Sequence, residues 1–213
     1  LVAKSSLLEQ NTAERMIHRF GQEQILYPEE MAGIVKERYL KKKEEAGDRI
    51  MQEVSLEKLK YLFAGAYAAE TGDGRIDRQN LIDSYPFYPF QIAFMKEMLK
   101  NESKGSARNM MKTIKSIVKN PAVYNQPIGV FAGIDLIYEE LKSKRSIEAE
   151  YSDLIESLAG SVLRDGSRKH PIRKPLVMQV LKAVVLLSQV KPEGVKPDMI
   201  LPFVYQKDGI ADE

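Results

Sequence analysis

The chain has 213 residues, of which 44% are hydrophobic, enough to bury a core in one large domain or two small ones. Its 32 lysines and arginines nearly balance 30 acids, so the net charge of +2 gives no global field that would indicate nucleic-acid binding. The lack of cysteine and the presence of only two histidines argue against disulfides and metal centres. No apolar run approaches the ~20 residues that cross a bilayer, and no secretory signal is visible, so we expect a cytoplasmic protein with no membrane partner and no metal site.

Apolar residues recur at spacings of three and four along most of the chain, whereas alternating strand-like patterns are almost absent, so we expect a mainly α fold. The first helix is predicted to run from Pro28 to about Ala46. Its proline lies where the first turn needs no amide donor, and the two glutamates that follow favour a helix N-terminus. Residues 41–43 are lysines, which favour the other end, and Gly47 is typical of a stop.

An aromatic bend is predicted in the middle of the chain. It follows a helix expected over 55–70 with Ser55 as its cap, a turn over 71–74 and a short helix over 76–84. Residues 85–90 read Tyr-Pro-Phe-Tyr-Pro-Phe. Two prolines cannot lie inside a helix, because each lacks an amide donor and biases its predecessor toward extended geometry. We therefore expect a rigid, buried bend, with the next helix starting at Pro89.

The helix after this one is predicted from Ser106 to about Lys119, with an apolar side and a basic side. Asn120 and Pro121 close that unit. A second region follows, with helices expected near 129–144, 147–164 and 175–190 and a short one over 199–205. The helix over 175–190 has little polar face, so we expect it at the centre of the C-terminal unit.

Two arginine motifs frame the first half of the chain. Met16-Ile17-His18-Arg19-Phe20-Gly21 precedes the first predicted helix, and Gly105-Ser106-Ala107-Arg108 opens the one that ends near Lys119. This arrangement resembles the second half of an AAA+ ATPase, in which an Arg-Phe closes onto a neighbour's nucleotide and a lid helix offers another arginine. The resemblance implies that Arg19 is a catalytic arginine finger acting in trans, and that Arg108 is the nucleotide-binding sensor 2 arginine.

Each arginine also has a structural alternative. An arginine next to a helix often covers or caps its end, and this would suffice for Arg19. Arg108 shares one helix side with Lys112, Lys115 and Lys119, and a charged side opposite an apolar one is commonly a solvated surface.

Three later elements narrow the resemblance to the large P-loop ATPases of prokaryotic phage defence, the BREX type. They are a Pro-Phe-x-Pro-aromatic-Gln element at 86–91, the Gly/Ser-x-x-Arg helix at 105–108 and a Val-Leu-Lys helix at 180–182. The implied organisation is the end of an ATPase core over 1–27, a helical lid bundle over 28–122 and a second helical, winged-helix-like unit over 123–213.

No phosphate-binding loop of the form Gly-x-x-x-x-Gly-Lys-Ser/Thr is present, so this piece alone is not expected to hydrolyse ATP. The chain begins at Leu1 rather than methionine, which suggests a piece of a longer polypeptide. The resemblance then implies an N-terminal ATPase core in the same polypeptide, ATP and Mg²⁺ as its cofactors, and homo-oligomers of the full-length protein.

Two other functions stay open. The connector over 164–174 carries five basic residues against one acid, and such a segment could grip a nucleic-acid backbone without reading sequence. The candidate DNA contacts are Arg168, Lys169, Arg173 and Lys174, beside a helix–turn–helix at the C-terminal end; a solubilising loop is the structural alternative. The third reading is an all-α scaffold whose aromatic bend docks another protein.

Overall fold

The computed structural model describes residues 28–66, 72–100, 106–143, 150–166 and 173–205. These ranges contain eleven α-helices and one 3₁₀ turn and no strand, so the prediction of a mainly α fold is confirmed. In chain order the helices are α1 (Pro28–Arg38), α2 (Glu44–Glu53), α3 (Leu56–Leu62), α4 (Arg78–Ser84), α5 (Pro89–Lys100), α6 (Ser106–Lys119), α7 (Pro121–Tyr124), α8 (Ile134–Ser143), α9 (Glu150–Gly166), α10 (Lys174–Ser188) and α11 (Pro197–Val204). The 3₁₀ turn spans Gly72–Gly74.

The long first helix predicted from the sequence is divided into two. α1 stops at Arg38, and residues 39–43 form a connection before α2 begins at Glu44. Gly47, expected to end the helix, lies buried inside α2, where an added Cβ would meet Ile82 Cγ2 at 3.4 Å. Gly47 therefore lies where α2 packs closely against α4, and it does not end a helix.

Side-chain caps open several of the helices, and the Ser55 cap lies where the sequence predicts it. Ser55 Oγ accepts from the Lys58 amide at 3.4 Å and opens α3. Asp77 Oδ1 accepts from the Asn80 amide at 2.9 Å and opens α4, and Asn120 does the same for the short α7. Each cap satisfies an amide that the helix itself leaves without a partner. α3 is shorter than predicted, because Phe63 follows it as C-cap.

One hydrophobic core runs through the described parts of the chain. It includes Val35 of α1, Leu59 of α3, Phe94 of α5, Ile137 of α8 and Phe203 of α11. The residue ranges expected for the lid and for the C-terminal unit both contribute to it. The boundary near residue 122 remains a prediction from the sequence.

The last third of the chain is built around α10, as the apolar pattern predicts. This helix packs against α8, α9 and α11 and buries Val177, Ala183 and Leu187. α11 starts with Pro197 in its first turn and buries Phe203. A winged-helix arrangement of this unit remains an expectation.

None of the helices in the described ranges combines the length and the apolar character needed to span a bilayer.

Candidate functional site

Only part of the predicted site falls on residues that the structure describes. Arg19, Arg168 and Lys169 lie outside the described residues. Arg108 is the third residue of α6, so its main chain lies in the first helical turn, while its side chain is outside the description. The helix start at Ser106 agrees with the sequence prediction, and the convergence of Arg19 and Arg108 on a triphosphate remains a prediction.

α6 connects the Arg108 turn to the rest of the molecule. It packs against α5, α1 and α8, and it buries Met110, Ile114 and Ile117. Its other side exposes Lys112, Lys115 and Lys119. Ser116 Oγ donates to Glu140 Oε1 of α8 at 2.5 Å, which adds a polar tie between the two helices. A movement at the start of α6 would therefore reach α8 through a continuous packed surface.

The aromatic bend is a buried junction rather than an exposed loop. Gln91 has no exposed surface; its Oε1 accepts from the Tyr88 amide at 2.9 Å and its Nε2 donates to the Ala132 carbonyl at 3.1 Å. The Ala132 amide in turn donates to the Pro86 carbonyl at 2.7 Å. These bonds join the bend to the segment that leads into α8, and the Tyr85–Pro86 peptide within the bend is cis.

Ring packing extends this junction to Phe63, which follows α3, and to Phe203 of α11. Tyr88 stacks on Phe131 with centroids 3.9 Å apart, and Phe63 meets Tyr88 edge to face at 4.9 Å. Phe203 of α11 contacts Phe94 at 5.1 Å. Phe87, Tyr88 and Phe90 are all fully buried, so a docking surface on this bend, as in the scaffold reading, would be limited to its partly exposed residues such as Tyr85.

The described ends of the basic connector lie on the surface. Arg173 is the residue before α10, and Lys174 is its first residue; both are exposed. Lys174 Nζ lies 3.6 Å from Glu156 Oε2 of α9, with about three-fifths of each side chain accessible. Such an exposed pair is worth about 0–1 kcal/mol, so it would not prevent Lys174 from contacting a phosphate.

A basic cleft lies where α1 ends, between the 39–43 connection, the start of α2 and α4. It encloses about 660 Å³. From the sequence, the lysines at 41–43 are expected only to favour the C-terminal end of a helix, because such a run is typical there. The signal that could have found the connection is the Glu44-Glu45 pair directly after the lysines, since acids in that position favour a helix start.

Comparisons with known proteins identify no relative: no family model, no curated protein and no solved structure matches the chain. Within the described ranges, no group of three or more histidine, cysteine or acidic side chains is placed to hold a metal ion. The case for a function therefore depends on the motifs and on the geometry of this chain itself.

Proposed function

We propose that this chain is the helical lid and the adjoining C-terminal region of a longer AAA+ type P-loop ATPase that acts in the cytoplasm in prokaryotic phage defence. Its work is to convert nucleotide state into movement. The observation that supports the proposal is the placement of α6, which begins at Ser106 with the Ser-Ala-Arg of the motif and packs along α5 and α8. A helix of this kind can transmit a contact made at its first turn.

In this proposal ATP with Mg²⁺ binds between the ATPase core of the same polypeptide and this lid. The permanently charged guanidinium of Arg108 contacts a phosphate in cis, and Arg19 stabilises developing charge at the site of a neighbouring subunit in a homo-oligomer. The position of α6 then changes with the nucleotide, and the Ser116–Glu140 contact and the Gln91 junction carry the change to α8.

The test is mutagenesis in the full-length protein. Arg108→Ala is expected to weaken the response to ATP, and Arg19→Ala to suppress hydrolysis by about 10³-fold or more while ATP binding is kept, since arginine fingers contribute that much to turnover. Lys115→Ala is the matched control, because Lys115 is an exposed cation further along α6. Binding and turnover are measured separately. Full activity in both arginine variants would remove the site assignment.

A second candidate function is sequence-independent DNA binding by the connector. The exposure of Arg173 and Lys174 next to the start of α10 favours it. Replacing Arg168, Lys169, Arg173 and Lys174 by alanine is then expected to weaken duplex binding. The dependence of the affinity on salt concentration should also become less steep, by the equivalent of up to about four phosphate contacts. A variant with alanine at Lys58, Lys60, Lys112 and Lys115, all exposed on other helices, changes the net charge equally and serves as control. Equal binding by both variants would reject the connector as the contact surface.

A further inference from the structure

The basic cleft at the end of α1 is enclosed by three helices and one connection. Cations outnumber acids on its walls, five to three. The cations are Lys36, Arg38, Lys41, Lys42 and Lys43, and the acids are Glu37, Glu44 and Asp83. Leu40, Gly47, Gln79 and Ile82 complete the lining. A concave site focuses the field of its charges, so this excess attracts anions more strongly than the same lysines would on a flat surface.

Lys42 is the most enclosed of the lysines in the 39–43 connection. Its Nζ donates to the Leu40 carbonyl at 2.6 Å and to the Asp83 carbonyl at 3.3 Å. The second bond places the ammonium at the C-terminal end of α4. Lys36 of α1, which also lines the cleft, donates to Asn80 Oδ1 of α4 at 3.0 Å. Main-chain carbonyls and an amide therefore orient these two amino groups at the cleft.

The cleft does not fully compensate the charge of Lys42. Burial lowers the pKa of its ammonium to about 8; the charge of Asp83 opposes this effect, and the charge of Lys36 adds to it. Carbonyl dipoles orient the ammonium, but they supply less compensation than a second negative charge near it would. An anion in the cleft would supply that charge and would favour the protonated form of Lys42.

Lys43 precedes α2, a helix of ten residues, lines the cleft and makes no side-chain cap. Glu44 and Glu45 in the first turn of α2 offset the partial positive charge of this helix N-terminus. The positive potential of the cleft therefore comes from its lysines and Arg38.

We propose that this cleft binds a small phosphate-bearing anion, a polyphosphate or the phosphate chain of a nucleotide, held between Lys42 and Lys36 with Lys41 and Lys43 at the rim. The volume of about 660 Å³ suits a ligand of nucleotide size. Compact ammonium groups pair well with phosphate as point charges. The four lysines named here belong to neither arginine motif, so this proposal does not depend on the ATPase proposal.

The test is calorimetric titration of the 213-residue chain with pyrophosphate, ATP and adenosine at low ionic strength. We expect pyrophosphate to bind, adenosine not to bind, and Lys42→Met to weaken pyrophosphate binding at least tenfold. Lys60→Met, on an exposed position of α3 outside the cleft, is expected to leave binding unchanged. Tighter binding of ATP than of pyrophosphate would identify the ligand as a nucleotide, and tighter binding of pyrophosphate would identify a free polyphosphate.

A pH series separates a direct contact of Lys42 from a general charge effect. With a pKa of about 8, the protonated fraction of Lys42 falls about tenfold between pH 7 and pH 9. The affinity of the parent chain for pyrophosphate should therefore fall over this range, relative to the affinity of Lys42→Met. The charges that face Lys42 are Lys36 of α1, Asp83 of α4, Glu44 of α2 and the neighbouring Lys41 and Lys43.

A second variant keeps the proposal testable if Lys42→Met does not fold. Lys41→Glu with Lys43→Glu changes two exposed rim residues and is expected to lower affinity by tenfold or more. Failure of pyrophosphate and ATP to bind would overturn the proposal. So would binding that Lys42→Met and the rim variant both leave unchanged.

Discussion

Gln91 donates its side-chain amide to the main-chain carbonyl of Ala132 at 3.1 Å, across 41 positions of sequence and without exposed surface. The other end of the same amide group accepts from Tyr88. One side chain therefore satisfies two buried main-chain groups. Because an unmade buried hydrogen bond costs the full desolvation of its partner, this residue is a sensitive test of how the bend is held.

Gln91→Ala is expected to lower the free energy of unfolding by about 2–4 kcal/mol, since it leaves the Tyr88 amide and the Ala132 carbonyl without this partner. Urea unfolding followed by circular dichroism measures the change. Gln52→Ala, on an exposed position of α2, is the control and should stay within about 0.5 kcal/mol. A loss below 1 kcal/mol in Gln91→Ala would show that these bonds do not secure the bend.

Gly65 lies against the first turn of α11. An added Cβ there would come within 2.8 Å of Asp198 Oδ2 and 2.9 Å of Asp198 Cβ, closer than van der Waals contact allows. Gly65→Ala is therefore expected to destabilise the protein by about 1–3 kcal/mol. In an Asp198→Gly background the same change should cost much less, and a double-mutant cycle of unfolding free energies measures the difference. Equal costs in both backgrounds would contradict a collision at this contact.

Lys182 ties α10 to α8. Its Nζ lies 3.0 Å from Glu139 Oε1 and 3.2 Å from Asp135 Oδ1, and the side chain is 13% accessible. Burial alone would lower the pKa of Lys182, but the bond to Glu139 and the charge of Asp135 outweigh it and raise the pKa above the ordinary lysine value of 10.5. Lys182→Met is expected to cost about 1–3 kcal/mol at pH 7. Lys191→Met, which removes a more exposed pair with Glu193, should cost no more than about 1 kcal/mol.

The pH dependence of this tie has a defined sign. A lysine whose pKa is raised by folding contributes its full stability below the unfolded pKa and loses it as pH rises through the folded pKa. The parent chain should therefore keep a higher free energy of unfolding than Lys182→Met up to about pH 10.5 and lose this difference only at higher pH. Unfolding curves between pH 7 and pH 11 test this, and an advantage that disappears near pH 8 would contradict the assignment.

Lys42 should behave in the opposite way. Its folded pKa of about 8 lies below the ordinary lysine value of 10.5, so the unfolded chain binds more protons between these two pH values. Stability attributable to this group should rise with pH over that window, by an amount on the order of 1–2 kcal/mol. The rise should be absent in Lys42→Met. Unfolding free energies of both chains at pH 7.5, 9 and 10 measure it, and parallel curves would contradict the lowered pKa.

The helical fold could be predicted from local patterns because apolar spacing, prolines and caps act within a few residues. Ser55 caps α3 as expected, and α6 has the bounds that its apolar side indicates. The partner of the aromatic bend could not be predicted, because Ala132 is brought to Gln91 by packing of distant helices.

The candidate sites differ in how much of each could be predicted from the sequence. The Arg108 motif is visible as a short string, and its helix start at Ser106 is confirmed, whereas the target of the side chain remains a proposal. The basic cleft needs the break between α1 and α2, and lysine's good helix propensity concealed that break.

The ring contacts of Phe203 with Phe90 and Phe94 carry a consequence for synthesis of the protein. Translation delivers α5 before α11, so the rings of Phe90 and Phe94 lack their contacts with Phe203 until the later helix leaves the ribosome. Nascent chains that stop before α11 would expose apolar surface, which chaperones recognise and which promotes aggregation.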